Sequence, residues 1–400
     1  HRYFPRAAPV IFSILGKVGQ KTVFAHYGST QTTYLELLQT GVYASSAQSI
    51  VKINHDFLTP ERSLFDSIEG AESQETDYER KFQETPKRKL KVIPKWERSG
   101  HASSINLGVK ICSGELFITL DGDCSCDNDM VANVVQEFYN ENVIASSGAL
   151  RVRNIRKNFL TRLQGVEYML GIHMARTGLA AVNSVNNLSA AFSAFRTGFM
   201  RSFGKWRNGS GEDFDMTIRL QSFFHRHKSL RVTHCPDAIV HTDVPDSVWG
   251  FIKQRLRWDG DLYYIYIRRY RKRLRPRYFG WIPFYINVFG GVVLHGIQPF
   301  VIFLGLVYGV VTFPSTVFIS LMLVMYLFYL CNLTILFLIF IVMMSERKVY
   351  DLKIIYMLPF MPFYTIFSKV ITCVAIISEM LIKTHKDSTM APTWVNKKVR

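Results

Sequence analysis

Charged side chains are missing from Tyr278 to Met344, an interval without a single Asp, Glu, Lys or Arg. A water-soluble domain does not leave so long a stretch unbroken by charge. The run also far exceeds the ~20 apolar residues of one bilayer span. It suits two spans behind a shorter interfacial element. Cysteine is sparse: the six residues have neither disulfide-framework nor zinc-knuckle spacing, and Cys124 and Cys126 form only an isolated C-x-C pair. Free thiols in a reducing compartment follow. The first twenty residues show no apolar core with a small-residue cleavage site of the signal-peptide kind. Internal repeats and low-complexity tracts are absent as well.

Acidic residues are the minority, 31 against 48 basic ones. Such an excess can mark nucleic-acid binding, but its placement argues otherwise. Arg268, Arg269, Arg271, Lys272, Arg273, Arg275 and Arg277 crowd immediately before the apolar run. A juxtamembrane cluster of this kind is attracted to anionic cytoplasmic lipid and sets topology by the positive-inside rule. No helix-turn-helix or base-stacking module accompanies it. Membrane lipid, not nucleic acid, is the expected partner.

Residues 1–88 carry weak signals, with short strands suggested at Val10–Leu15 and Thr22–Ala25. Beyond them the pattern sharpens. Leu90–Ile93 reads as a strand, Ser103–Cys112 as a helix, and Glu115–Leu120 as a strand ending at Asp121-Gly122-Asp123. Strand, helix and strand within about thirty residues is a βαβ pattern, which predicts an α/β fold with a parallel sheet. Ligands of such sheets sit at the carboxyl ends of the strands, where Asp121 and Asp123 fall. Helices are expected at Met130–Tyr139, at Phe159–Met174, from Glu212 onward and at Ser247–Trp258, with strands at Val143–Val152 and Leu188–Phe195.

Three constellations carry chemistry. Asp121 and Asp123 can clamp a divalent cation, and hard oxygen ligands suit Mg²⁺ or Mn²⁺ holding a nucleotide diphosphate. The motif alone fits an Asp-rich surface turn equally well, with Asp127 and Asp129 close by. Gly211-Glu212-Asp213 places two carboxylates at a helix start, where the dipole favours them. One of them can take the proton of an attacking sugar hydroxyl, although acidic first turns are common without any such role. In Gln254-Arg255-Leu256-Arg257-Trp258, helical spacing puts Gln254, Arg257 and Trp258 on one face. That face can pair a diphosphate and offer a flat surface to a sugar ring, or it can simply anchor an interfacial helix.

Together, D-G-D, G-E-D and Q-x-x-R-W, followed by a basic stretch and spans, resemble the processive family-2 glycosyltransferases: the cellulose, hyaluronan and poly-N-acetylglucosamine synthases. Ser99–Asn106 looks like the family's G-K-A-x-A-L-N loop with His101 for lysine, and Ala191–Arg196 like its acceptor-side strand and arginine. The resemblance implies a GT-A type, Rossmann-like nucleotide-sugar domain followed by interfacial and transmembrane α-helices. It divides the chain into a divergent N-terminal part (1–88), a catalytic core (89–265), a basic interfacial segment (266–288), a transmembrane region (289–382) and a basic tail (383–400).

In catalysis the resemblance makes Asp213 the general base with Glu212 beside it. Asp121, Asp123, Gln254 and Arg257 would hold the donor diphosphate, Asp121 and Asp123 the metal, and Trp258 and Arg196 the acceptor. It further implies inversion at the anomeric carbon and a cytoplasmic catalytic domain on an integral membrane protein of the cell or plasma membrane. The expected donor is a UDP-sugar, first UDP-N-acetylglucosamine, and the expected acceptor a polysaccharide. A lipid-linked acceptor and a catalytically inactive membrane subunit are the alternatives. The family's early Asp-Asp-Gly-Ser-type uracil motif has no clear counterpart, since Asp66-Ser67 is a poor match. Residues 354–382, interrupted by Pro359, Pro362 and Lys369, suit either an interfacial helix plus a span or a re-entrant element. A full crossing would carry the basic tail to the far side, against the positive-inside expectation.

Overall fold

The computed structural model describes residues 11–15, 22–27, 88–93, 101–122, 124–207, 209 and 211–387. Its centre is an eight-stranded sheet of β1 (Ile11–Leu15), β2 (Thr22–Tyr27), β3 (Arg88–Ile93), β4 (Leu116–Asp121), β5 (Ser125–Cys126), β6 (Val143–Val152), β7 (Phe192–Arg196) and β8 (Arg231–Thr242). The strand order is β3-β2-β1-β4-β7-β6-β8-β5. The sheet is mixed rather than parallel. β1 runs parallel to β4 and β6 to β8, but β7 lies antiparallel between β4 and β6. The helix α1 (His101–Ile111) does connect β3 to β4, yet β2 and β1 intervene between those two strands.

Alternation along the strands feeds two cores, as the pleat requires. Leu116, Ile118 and Leu120 of β4 join Phe192 and Ala194 of β7 on the side covered by α2 (Met130–Glu137). Phe117 and Phe195 point the other way, toward α1, α5 (Thr197–Phe203) and α6 (Glu212–Phe224). Gly148 marks the tightest approach within the sheet. A Cβ there would stand 2.0 Å from Phe192 Cε1 and 2.4 Å from the Ala238 carbonyl oxygen, so no larger residue fits.

Helices α3 (Phe159–Glu167) and α4 (Ala175–Ala181) are joined by a π-helical stretch, Tyr168–Met174. Helix α7 (Val248–Tyr263) runs on in the same way through Tyr264–Arg269. Short helices α8 (Pro276–Phe279) and α9 (Trp281–Ile286) lead through Asn287–Ile297 into α10 (Gln298–Thr312). Helix α11 (Ser315–Met343) returns, and α12 (Lys348–Leu352) and a 3₁₀ turn precede α13 (Met361–Ile382). Trp281–Thr312, Ser315–Met343 and Ile355–Ile382 are each long and apolar enough to cross a membrane.

These helices are packed onto the sheet domain. Leu163, Val166 and Phe251 form one core with Phe337 and Phe340 of α11 and with Met357 and Tyr364. Beside it, buried Arg151 of β6 pairs with Glu346 and with Asp351, the latter at 3.0 Å. Asp215 of α6 makes a second tie. Its fully buried carboxylate accepts from Tyr270 Oη at 2.6 Å and Arg219 Nε at 3.1 Å, and pairs with Arg269 Nε at 3.2 Å. The basic stretch expected to face lipid therefore turns partly inward, Arg269 to Asp215 and Arg268 to Glu379.

Removing one member of a buried charged cluster strands the others in low dielectric, at a cost of about 3–5 kcal/mol. Asp215→Ala is expected to destabilise the protein by that order, seen as a lower unfolding midpoint in detergent. An unchanged midpoint would show that Asp215 does not hold this junction.

Candidate active site

Strand β4 is buried along its length and delivers Asp121 to its carboxyl end, where the side chain is 37% exposed. Asp123 lies outside the described residues. The first residue of α1, His101, stands over Asp121, with Nε2 3.7 Å from Oδ1. The other ring nitrogen, Nδ1, is 2.7 Å from Oε1 of Glu212, the first residue of α6. One imidazole thus joins the end of β4 to the start of α6. Burial opposes its charge, but the two carboxylates outweigh burial and raise its pKa to about 10. His101 is therefore a cation at neutral pH.

Gly211 permits this helix start. It sits at φ 68°, a left-handed conformation suited to glycine, and an added Cβ would lie 3.3 Å from Ile265 and 3.4 Å from Asp261. Glu212 is buried against His101, while Asp213 is half-buried. Burial and the neighbouring Glu212 carboxylate push the Asp213 pKa up to about 6. A side-chain hydrogen bond with Asn187, the Phe214 N–H at 2.8 Å and the charge of Arg176 hold the rise in check. The Thr217 hydroxyl bonds back to the Asp213 carbonyl at 2.7 Å and accepts the Leu188 N–H at 2.9 Å, fixing the segment that carries Asn187.

Helix α7 forms as its spacing predicts, with Gln254, Arg257 and Trp258 all half-buried. The Gln254 Oε1 is buried without a hydrogen-bond partner among the described residues, leaving it available to a ligand hydroxyl. Trp258 packs beside the core of β4 and β7. The intervening Arg255 is committed to structure. It is buried between the Phe251 and Trp258 rings, 5.0 Å from each, and bonds Glu167 at 2.6 Å.

Asp121, Glu212 and Asp213 are thus brought together, but Arg196 is not. In the β4–β7 register it faces Leu116, at the end of β4 opposite Asp121. Its guanidinium bonds the carbonyls of Phe138, Asn140 and Val143 at 2.6, 3.0 and 2.7 Å. Strand position alone does not say which end of a sheet an arginine serves. Two residues that act on Asp213 carried no signal in the sequence: Asn187, in a loop, and Arg176, just past the end of the helix expected at Phe159–Met174.

Residues 66–260 match the family described as glycosyltransferase-like family 2. Poly-β-1,6-N-acetyl-D-glucosamine synthase of Staphylococcus epidermidis is 27% identical over 161 residues, 40% of this chain and 38% of that protein. The Staphylococcus aureus synthase of the same name is 25% identical over 199 residues, 49% of this chain and 46% of that protein. The chain spans less than half the length of these curated relatives. Among solved structures, a mannosyltransferase from Pyrobaculum calidifontis, in complex with GDP-Man and Mn²⁺, shows 14% identity and a TM-score of 0.48, covering 78% of this chain and 76% of its own.

His101→Gln leaves buried Glu212 facing a neutral side chain. The loss is expected to be on the order of 3–5 kcal/mol, read as a fall in the thermal midpoint. His101→Lys keeps a cation there and should lose much less; equal losses would rule out a role for the charge.

Proposed function

We propose that this chain, a family-2 glycosyltransferase over residues 66–260, transfers N-acetylglucosamine from its UDP conjugate to a growing β-linked polysaccharide at the cytoplasmic face of a membrane. The observation that carries the reading is Asp213. It is a half-buried carboxylate with a pKa of about 6 in the first turn of α6, next to Glu212, which His101 ties to the end of β4. A base poised near the working pH is what removal of a hydroxyl proton needs. The sugar identity draws on the two staphylococcal relatives, whose names give poly-β-1,6-N-acetyl-D-glucosamine as product.

In this reading the acceptor hydroxyl approaches the anomeric carbon on the face opposite the diphosphate. As the new C–O bond forms, the bond to the diphosphate breaks and the hydroxyl proton passes to Asp213. Attack from that side inverts the anomeric centre. Gln254 and Arg257 bind the diphosphate, and Trp258 offers the terminal acceptor sugar an apolar face. The partly open carboxylate of Asp121 already attracts one cation, His101, and its hard oxygens fit a divalent ion. Mg²⁺ or Mn²⁺ held there by Asp121 and Asp123 would neutralise charge on the departing diphosphate. Glu212, occupied by His101, supports the base and does not share its work.

Membranes supplied with labelled UDP-sugars and Mg²⁺ or Mn²⁺ are expected to yield high-molecular-weight product from UDP-N-acetylglucosamine. A single sugar on lipid would favour the lipid-acceptor alternative, and no turnover with any donor would overturn the proposal. Asp213→Asn should abolish transfer while leaving UDP binding within a few-fold. Because the base must be ionised, the rate should rise with pH through about 6 and fall about tenfold per pH unit below it. A flat profile from pH 5 to 7 would remove Asp213 from the base role.

A further inference from the structure

Of the three helices long enough to cross a membrane, α13 is placed unlike the other two. Phe251, in the first turn of α7, stacks on Phe367 with centroids 6.2 Å apart and lies 5.4 Å from the Tyr364 ring. Two turns on, the Thr372 hydroxyl donates to Asp259 at 2.6 Å. At the far end Arg268 bonds the Met380 carbonyl at 3.0 Å, and His385 stacks on Tyr264 at 4.1 Å. The two helices therefore run side by side, in the same direction, from end to end.

Helix α7 carries Lys253, Arg255, Arg257, Asp259 and Asp261 within sixteen residues, a charge load that excludes it from a bilayer core. A helix lying along its whole length does not cross the bilayer either. The ends of the segment agree. It starts beside Asp351, which is buried on Arg151 of the sheet, and finishes on Tyr264 and Arg268 of the α7 extension. Both ends thus meet the catalytic body.

The side of α13 away from α7 is apolar and uncovered. Phe363, Ile366, Val374, Ile377 and Leu381 recur at helical spacing and are 64, 38, 50, 45 and 77% exposed. The opposite face, with Tyr364, Ile371, Thr372, Ala375 and Glu379, is buried. Arg268 reaches the end of α13, and Arg271, Lys272 and Arg273 follow it in the chain and are exposed. An exposed apolar stripe joined to such a basic turn has the chemistry of a helix half-sunk among anionic headgroups.

We propose that α13 lies in the plane of the membrane as a docking surface for acyl chains and anionic headgroups, leaving α10 and α11 as the crossing pair and the basic tail 383–400 on the catalytic side. This rests on the membrane placement proposed above. It also removes the conflict with the positive-inside rule that a third crossing would create.

The test uses the full chain with its six cysteines replaced, in sealed vesicles of either orientation, with an impermeant maleimide. Ser315→Cys and Lys348→Cys should label from opposite sides, and Lys383→Cys from the Lys348 side. Lys383→Cys labelling with Ser315→Cys would make α13 a span and overturn the proposal. Ser315→Cys and Lys348→Cys reacting from one side would instead overturn the membrane hairpin itself.

Depth decides the matter independently of labelling. Bimane on Phe363→Cys, Val374→Cys and Leu381→Cys should be quenched by brominated lipids at one shallow depth. A shallow–deep–shallow profile, or no quenching at all three sites because a second copy covers the stripe, would defeat it.

Discussion

Three carboxylates crowd the first turn of α6, and the architecture follows from how each is compensated. Glu212, Asp213 and Asp215 gain from the helix dipole, but burying them together would be prohibitive without counter-charges. Each meets a different part of the molecule. Glu212 is neutralised by His101 from the sheet side. Asp215 is neutralised by Arg219, Arg269 and the Tyr270 hydroxyl, which belong to α6 itself and to the chain leading toward the membrane. Asp213 makes no ion pair among the described residues, and burial with the Glu212 carboxylate beside it raises its pKa. The chemistry of the site and the anchoring of its neighbours are two outcomes of one electrostatic problem.

Helix α7 solves the complementary problem of joining the sheet domain to apolar helices. Phe251, Arg255 and Asp259 recur every fourth residue and look toward α3 and α13, where Arg255 bonds Glu167 and Asp259 accepts from Thr372. Gln254 and Trp258, also four apart, share a different face with Arg257. The groups proposed to meet ligands and the anchoring groups therefore interleave along one helix without competing. A rotation or slide of α13 that broke the Asp259–Thr372 contact would be felt by Trp258 within one residue.

The parts of this arrangement that depend on local pattern were legible in the sequence. A buried apolar strand ending in acids, a glycine followed by a carboxylate pair, and a charge-free run each have a local cause. Long-range pairing was not. The alternation in β7 is the same whether its neighbours are parallel or antiparallel, so the mixed sheet could not be anticipated. Arg196 read as an acceptor residue because Ala191–Arg196 resembles the family's acceptor-side strand, and that resemblance does not say which end of the sheet the arginine occupies. The cluster Arg268–Arg277 read as lipid-facing throughout, yet Arg268 and Arg269 find carboxylates on α13 and α6 that no spacing rule connects to them.

Arg176 shows why the missed residues matter. Its helix stretch packs His173 and His234 into the interior, ring centroids 5.9 Å apart, with His234 bonded to the Ser147 hydroxyl at 2.8 Å. Burial is the main cause holding both imidazoles uncharged, lowering the His173 pKa to about 4, and nearby arginines add to it. Burial lowers the Arg176 pKa only to about 10, so it remains charged at neutral pH. Set back in the interior, Arg176 adds the smallest pull to those of the Asn187 side chain and the Phe214 N–H, which together hold the rise of the Asp213 pKa to about 6.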